Sequence, residues 1–142
     1  MRAVSRAPID EGAILGAAVL RAAEHLGIPN KRLAAIVGIS ESSLSRMARG
    51  GFAPRRGDKD FELCALFLRL FRSLDAFVGG EQDGARAWLR APNIGLAALP
   101  PEDYRLPREE LARRGKVPLD ELTTIPGLLH VIDYLDSRRG SV

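Results

Sequence analysis

The chain has 142 residues, enough for one ordinary domain or two very small ones. Hydrophobic residues make up 46% and aromatics only 6%, with Leu and Ala leading the aliphatics, which favours helices over sheets. The single cysteine, Cys64, excludes an internal disulfide and fits a cytoplasmic protein. No apolar run reaches membrane-spanning length, and the first twelve residues lack a signal peptide's apolar core because Asp10 and Glu11 interrupt it.

Asp10 is placed to cap a first helix, EGAILGAAVLRAAEHLG, which Gly27 stops. Leu15, Ala18, Val19, Ala22 and Leu26 give that helix an apolar face at three- and four-residue steps. Next comes NKRLAAIVGISESSLSRMARGG, residues 30–51, which reads as two short helices joined by a tight turn. Leu33, Ala34 and Val37 share a face of the first, and Gly38 ends it, since glycine takes the left-handed conformation a helix stop often needs. Ile39 anchors the turn and Ser40 caps the second helix, whose Leu44 and Met47 point back to the core. This spacing is a helix-turn-helix pattern. The second helix leaves Glu41, Ser42, Ser43, Ser45, Arg46 and Arg49 on its free surface, and serines and arginines suit bases and phosphates. With Ser40 at the cap, these are the expected DNA contacts.

The break GGFAPRRGDKD carries Arg55 and Arg56 and suits either a wing touching the DNA backbone or a solvated linker. Asp58 or Asp60 then opens a long helix with a Leu63, Leu66, Phe67, Leu70, Phe71, Leu74 and Phe77 stripe. Its expected role is a core that continues into a homodimer contact between Phe67 and Phe77. Gly79-Gly80 ends it, and EQDGARAWLR forms the next helix, stopped at Ala91-Pro92-Asn93. Residues 94–117 are loop-rich, with one short helix expected in PREELARRG and Pro107 in its first turn. Pro118 to Leu122 reads as a single helical turn, and Thr124 caps a last helix with Leu128, Leu129, Ile132 and Leu135 inward. The expected fold is all-α, divided as 1–57 for the helix-turn-helix, 58–80 for a connecting and dimerising helix, and 81–142 for a small helical C-terminal domain.

Charge follows the motif. Residues 1–60 hold ten Lys/Arg and six Asp/Glu, a net of +4, while residues 61–142 hold eleven and twelve, a net of −1. The positive excess lies where phosphate contacts would need it. Signs of catalysis are absent. His25 and His130 lie in different helices with no ligand at metal spacing, and His130 sits among apolar residues as a structural histidine would. The pairs Glu102/Asp103, Glu109/Glu110 and Asp120/Glu121 are sequence neighbours that point apart on a helix. There is no P-loop or GxGxxG, and Cys64 in its apolar run suits a small buried thiol. The pattern argues against an enzyme and asks for no cofactor or metal.

The second half has an ordered set of short motifs: Trp88-Leu89, Ala91-Pro92-Asn93, Leu96, Pro118-Leu119-Asp120-Glu121-Leu122, Thr124, Gly127 and VIDYL. Together with the helix-turn-helix in front, this resembles the Xre/MbcA/ParS family of type II antitoxins, over about residues 12 to 140. The stretch Leu99 to Lys116 departs from the family pattern as an insertion. The resemblance implies an antitoxin that binds its own operator DNA and neutralises a cognate RES-domain toxin, a class that degrades NAD, by covering its active site. It implies toxin-facing roles for Trp88, Pro92, Asn93 and Asp120, although the residues alone give Trp88 a packing role and Asn93 a turn-holding one. The tail adds Asp136, Arg138, Arg139 and Gly140, expected to project from the last helix, where the arginines would pair with acidic groups in the toxin's cleft or merely favour the helix dipole. The alternative reading is a dimeric DNA-binding repressor whose C-terminal domain only dimerises or senses a ligand. A third is an interaction module that has kept the helical motif without DNA binding.

Overall fold

A computed structural model describes residues 10–139, with the backbone alone for Arg139. The fold is all-α. In chain order the helices are α1 Glu11–Leu26, α2 Asn30–Val37, α3 Glu41–Ala48, α4 Lys59–Phe77, α5 Gln82–Arg90, α6 Ile94–Ala97, α7 Arg108–Arg114, α8 Pro118–Glu121 and α9 Ile125–Arg139, with a 3-10 turn at Pro101–Arg105. The expected caps form. Asp10 Oδ1 accepts from the Ala13 N–H at 3.0 Å, Ser40 Oγ from Ser43 at 3.1 Å and Thr124 Oγ1 from Gly127 at 3.1 Å. Each satisfies a donor that the first turn of a helix leaves open. Pro107 stands one residue before α7, at its N-cap rather than in the first turn.

α4 is the spine. It packs on α1 and α2 on one side and on α9 on the other, with α5 across its end. One continuous core results: Val19, Leu26, Leu33, Ile36 and Leu44 from the first three helices meet Phe67, Leu70 and Leu74, which meet Leu128, Val131, Ile132 and Leu135. The helix expected to connect and dimerise therefore lies inside the core. Of its stripe, Phe67, Leu70 and Leu74 are fully buried, Leu66 and Phe71 partly so, and only Phe77 is exposed, at 40%. The buried arc of α4 is wider than one face because Cys64, Leu68 and Ser73 are also inside. Burial, with Asp60 nearby, pushes the Cys64 thiol up to about 12, so at neutral pH it is a protonated core residue and a poor nucleophile.

Two inward assignments on α9 shift. Leu129 is 37% exposed and His130 is exposed, whereas Val131 is fully buried. The helix lies against α4 through Leu128, Val131, Ile132 and Leu135, a stripe at three- and four-residue steps that leaves Leu129 and His130 on its outer flank.

A polar clamp joins α5 to the end of α1. Arg86 donates to the carbonyls of His25 (2.9 Å) and Glu24 (3.0 Å), Arg90 to those of Leu26 (3.0 Å) and Gly27 (2.9 Å), and Gln82 to His25 (3.1 Å). The last carbonyls of α1 are thus capped by side chains of α5, and two guanidinium charges sit at the negative end of the helix dipole. Replacing both arginines by alanine is expected to cost about 1–3 kcal/mol in total, since water recovers part of the loss. A lower urea midpoint at unchanged slope reads this out; an unmoved midpoint means the clamp adds nothing.

A candidate DNA interface and a candidate partner surface

The helix-turn-helix is built by local backbone chemistry. Gly38 has φ 69°, and its N–H donates to Ala34 O at 2.9 Å while Ile39 N–H reaches the same carbonyl at 3.3 Å. Ile39, 4% exposed, plugs the turn. Leu44 and Met47 are buried, with Met47 packed beside Gly16 of α1. The opposite side of α3 then faces solvent, with Glu41, Ser42, Arg46 and Arg49 exposed and Ser43 and Ser45 partly so.

Within this face the hydroxyls are already organised. Ser40 Oγ caps α3 and lies 3.2 Å from Ser42 Oγ. Arg46 donates to Ser43 Oγ at 2.9 Å and its guanidinium sits 5.7 Å from the Phe52 ring centroid. Arg46 is held by one hydrogen bond and one ring while the residue stays exposed, an arrangement that limits the rotamer entropy lost on binding. Arg49, the C-cap of α3, is exposed at the helix end.

The segment after α3 carries no strand and is anchored to the body. It is an irregular loop with Pro54 buried and the Pro54 carbonyl seated against Gly12 of α1, where no side chain would fit. The two arginines in it differ. Arg55 is exposed. Arg56, also exposed, bridges to Glu11 at 2.7 Å and lies 5.5 Å from the Phe61 ring.

At the other end, four side chains from α4, α5 and α9 form a ladder. Phe77 meets Trp88 edge-on at 6.0 Å, Trp88 stacks on Tyr134 at 6.2 Å with planes 28° apart, and the Arg138 guanidinium sits 5.0 Å over the Tyr134 ring. Tyr134 fits because residue 95 is glycine; a Cβ there would lie 2.7 Å from the Tyr134 ring. Trp88 and Tyr134 are partly buried and Phe77 and Arg138 exposed, so the ladder is half core and half surface. Aromatic and arginine side chains of this kind are the ones that dominate protein interfaces.

The residues expected to face a toxin are dispersed around this ladder. Trp88 and Arg138 are brought together, joined by Tyr134. Pro92 is exposed and packs against Gly115. Asn93 holds its turn as expected: Oδ1 accepts from Leu96 N–H at 3.2 Å, and its backbone pairs with Lys116 at 2.8 and 3.0 Å. Asp120 lies elsewhere, bridged to Arg32 of α2 at 2.8 Å. Asp136 does not project. It accepts from Ser73 Oγ at 2.6 Å and from Arg69 at 3.3 Å, because α9 continues through Arg139 and turns this position toward α4. Gly140 and the side chain of Arg139 lie outside the described residues. The sequence reading gave Phe77 to a dimer contact and Tyr134 only a place in the VIDYL motif; the four-residue step from Tyr134 to Arg138 was the available signal for the ladder.

Among the described residues no helix is long and apolar enough to cross a membrane, and no cluster of His, Cys, Asp and Glu could hold a metal ion. The turn, the buried Leu44/Met47 pair and the exposed Ser/Arg face define a helix-turn-helix domain. Residues 5–56 match the family model described as the antitoxin Xre-like helix-turn-helix domain, which supports a DNA-binding antitoxin or regulator. No curated protein matches the chain.

Proposed function

We propose that the chain is the antitoxin of a type II toxin–antitoxin system. As a homodimer it represses its own operon through α3, and through its C-terminal helices it binds a cognate RES-type, NAD-degrading toxin and covers the active site. The observation that carries the reading is the Xre-like antitoxin match over residues 5–56 on a helix whose Ser42, Arg46 and Arg49 are open to DNA. The half-exposed Trp88–Tyr134–Arg138 ladder, in the part that resembles the family's toxin-binding domain, supports the second activity. Neutralisation needs no chemistry from this chain, only a surface that excludes substrate.

The test separates the two activities. Co-expressed with a toxin encoded by the neighbouring gene, the protein should restore growth and co-purify with it. Arg138→Glu, a change on an exposed side chain, should lower protection while leaving operator binding by the free protein unchanged. Full protection by that variant removes the ladder from the interface. A second reading has its own observation. A cleft of about 510 Å³ lies between α2, α4 and the α8–α9 corner, lined by Ile36, Leu63, Asp60, Thr124 and Ile125. That volume suits a small ligand, as in a ligand-sensing regulator. Failure of the protein to protect against any adjacent gene product would favour it.

A further inference from the structure

The cleft between α2, α4 and the α8–α9 corner holds two opposite charges that the fold itself does not use. Ile36 and Leu63, 2% and 8% exposed, give it an apolar floor, and Ile125 adds a more exposed apolar wall. Lys59 and Asp60, the first residues of α4, line it as well. Thr123 and Thr124 bring hydroxyls from the α8–α9 corner, of which Thr124 Oγ1 already caps α9. At about 510 Å³ the hollow has the size of a small-molecule site.

Asp60 is the anomaly. It is only partly exposed and its Oδ1 is shut off from water, yet that oxygen accepts no hydrogen bond. Among the described residues no cation pairs with Asp60, and its neighbour Lys59 is exposed and equally without a carboxylate. Successive residues of a helix do not face each other, which keeps these two charges apart. The dipole of α4 favours a carboxylate in its first turn but supplies no donor here. A buried carboxylate oxygen without a donor costs stability, and in a cavity wall it asks for a group that completes it.

We infer that the cleft binds a small zwitterion, an α-amino acid with an aliphatic side chain. Its ammonium compensates Asp60, its carboxylate meets Lys59, and its side chain covers Ile36, Leu63 and Ile125. Both polar contacts belong to the strong, charge-assisted kind. A singly charged ligand would answer only one of the two wall charges, and an apolar one neither. The inference rests on the ligand-sensing reading, which it deepens, and is independent of the antitoxin reading. It also places the ligand against the DNA-binding half. Gly38 lines the cleft, and a Cβ there would lie 3.3 Å from Leu63, so a bound molecule rests on the turn that sets α3.

Titration of the isotope-labelled full chain, followed by amide NMR shifts at Ala35, Thr123 and Ile125, tests this without DNA or toxin. The probes are L-leucine and three fragments of it: isoamylamine, isocaproate and isoamyl alcohol. Leucine should saturate at millimolar concentration or below and bind roughly tenfold more tightly than any fragment. Asp60→Asn, nearly the same shape, should weaken leucine and isoamylamine roughly tenfold and leave isocaproate unchanged. Lys59→Gln should weaken leucine and isocaproate and leave isoamylamine unchanged. Ala35→Phe fills the cleft from an exposed position on α2 and should abolish binding, which keeps the test open if Asp60→Asn does not fold. Saturable binding of isoamyl alcohol with leucine no tighter would overturn the zwitterion while keeping the cleft as a ligand site. No saturable shift with any probe would overturn the inference and ligand sensing by this cleft together. Leucine binding indifferent to Asp60→Asn, or to Ala35→Phe, would overturn the inference as well.

Discussion

Arg46→Ala should weaken specific operator binding roughly ten- to a hundredfold, because one bidentate arginine–base contact contributes about 1–3 kcal/mol of discrimination. The expectation comes from how Arg46 is held. Ser43 Oγ accepts one of its hydrogen bonds at 2.9 Å and the Phe52 ring lies 5.7 Å from its guanidinium, so an exposed side chain is already partly ordered. Arg46 is exposed and its removal leaves no cavity, so circular dichroism and the melting temperature should be unchanged. Arg49, at the end of the helix, is placed for a phosphate. Its alanine variant should lose affinity evenly across sequences and reduce the salt dependence by about one counterion. Footprinting titrations on operator and on unrelated DNA separate the two. Unaltered operator affinity in Arg46→Ala would remove it from base reading.

Phe67→Ala should cost about 3–5 kcal/mol, as truncation of a fully buried aromatic generally does. That is a large share of the 5–15 kcal/mol that holds an ordinary domain together. Phe67 is 0% exposed on α4, the helix that both halves pack against. Its loss should therefore lower the melting temperature by roughly 10 °C in one transition, with signals from both halves falling together. Trp88, the only tryptophan in the chain, reports the C-terminal half by fluorescence, and far-ultraviolet dichroism reports the whole. Two separated transitions would mean that residues 1–57 and 81–142 unfold as independent bodies. Phe67→Leu, a milder truncation at the same position, keeps the comparison available where the alanine variant does not accumulate.

Helix existence was legible in the sequence because caps are local. Asp10, Gly27, Gly38, Ser40 and Thr124 each act within four residues of their own position, and each acts where it was expected. The face of a helix was less legible where polarity and apolarity mix along it. On α9 the inward assignment of Leu129 is an error of phase, decided only by where α4 lies. The four-residue α6 and the 3-10 turn at Pro101–Arg105 are shorter than any period that could announce them.

Site residues followed the same rule. The exposed face of α3 could be read because Leu44 and Met47 fix its back. The commitment of Arg56 to Glu11, forty-five residues away, could not, nor could the hold of Arg86 and Arg90 on α1 more than sixty residues upstream. An arginine has the same composition whether it meets a phosphate or a carbonyl, and only the tertiary neighbour distinguishes them. Asp136 illustrates the cost: placed on a tail it is a free charge, but one more turn of α9 makes it the acceptor for Ser73.

The excursion between Asn93 and Lys116 first sets Leu96 of α6 into the core, then leaves the body and comes back to the point it left. The two backbones pair in both directions at that point, at 2.8 and 3.0 Å, and Gly115 is pressed against Pro92 and Asn93 so closely that a Cβ would lie 2.9 Å from the Asn93 nitrogen. Neither α7 nor the 3-10 turn contributes a buried residue. Such a closed neck separates the history of the segment from that of the rest. Once its ends are fastened, the entropy of closing the loop changes only with the logarithm of its length, about 0.6 kcal/mol for each doubling. Evolution can therefore lengthen, shorten or exchange the part beyond α6 almost without consulting the core, where Leu96 stays fixed, and the protein can acquire a new outer surface there without renegotiating how it folds.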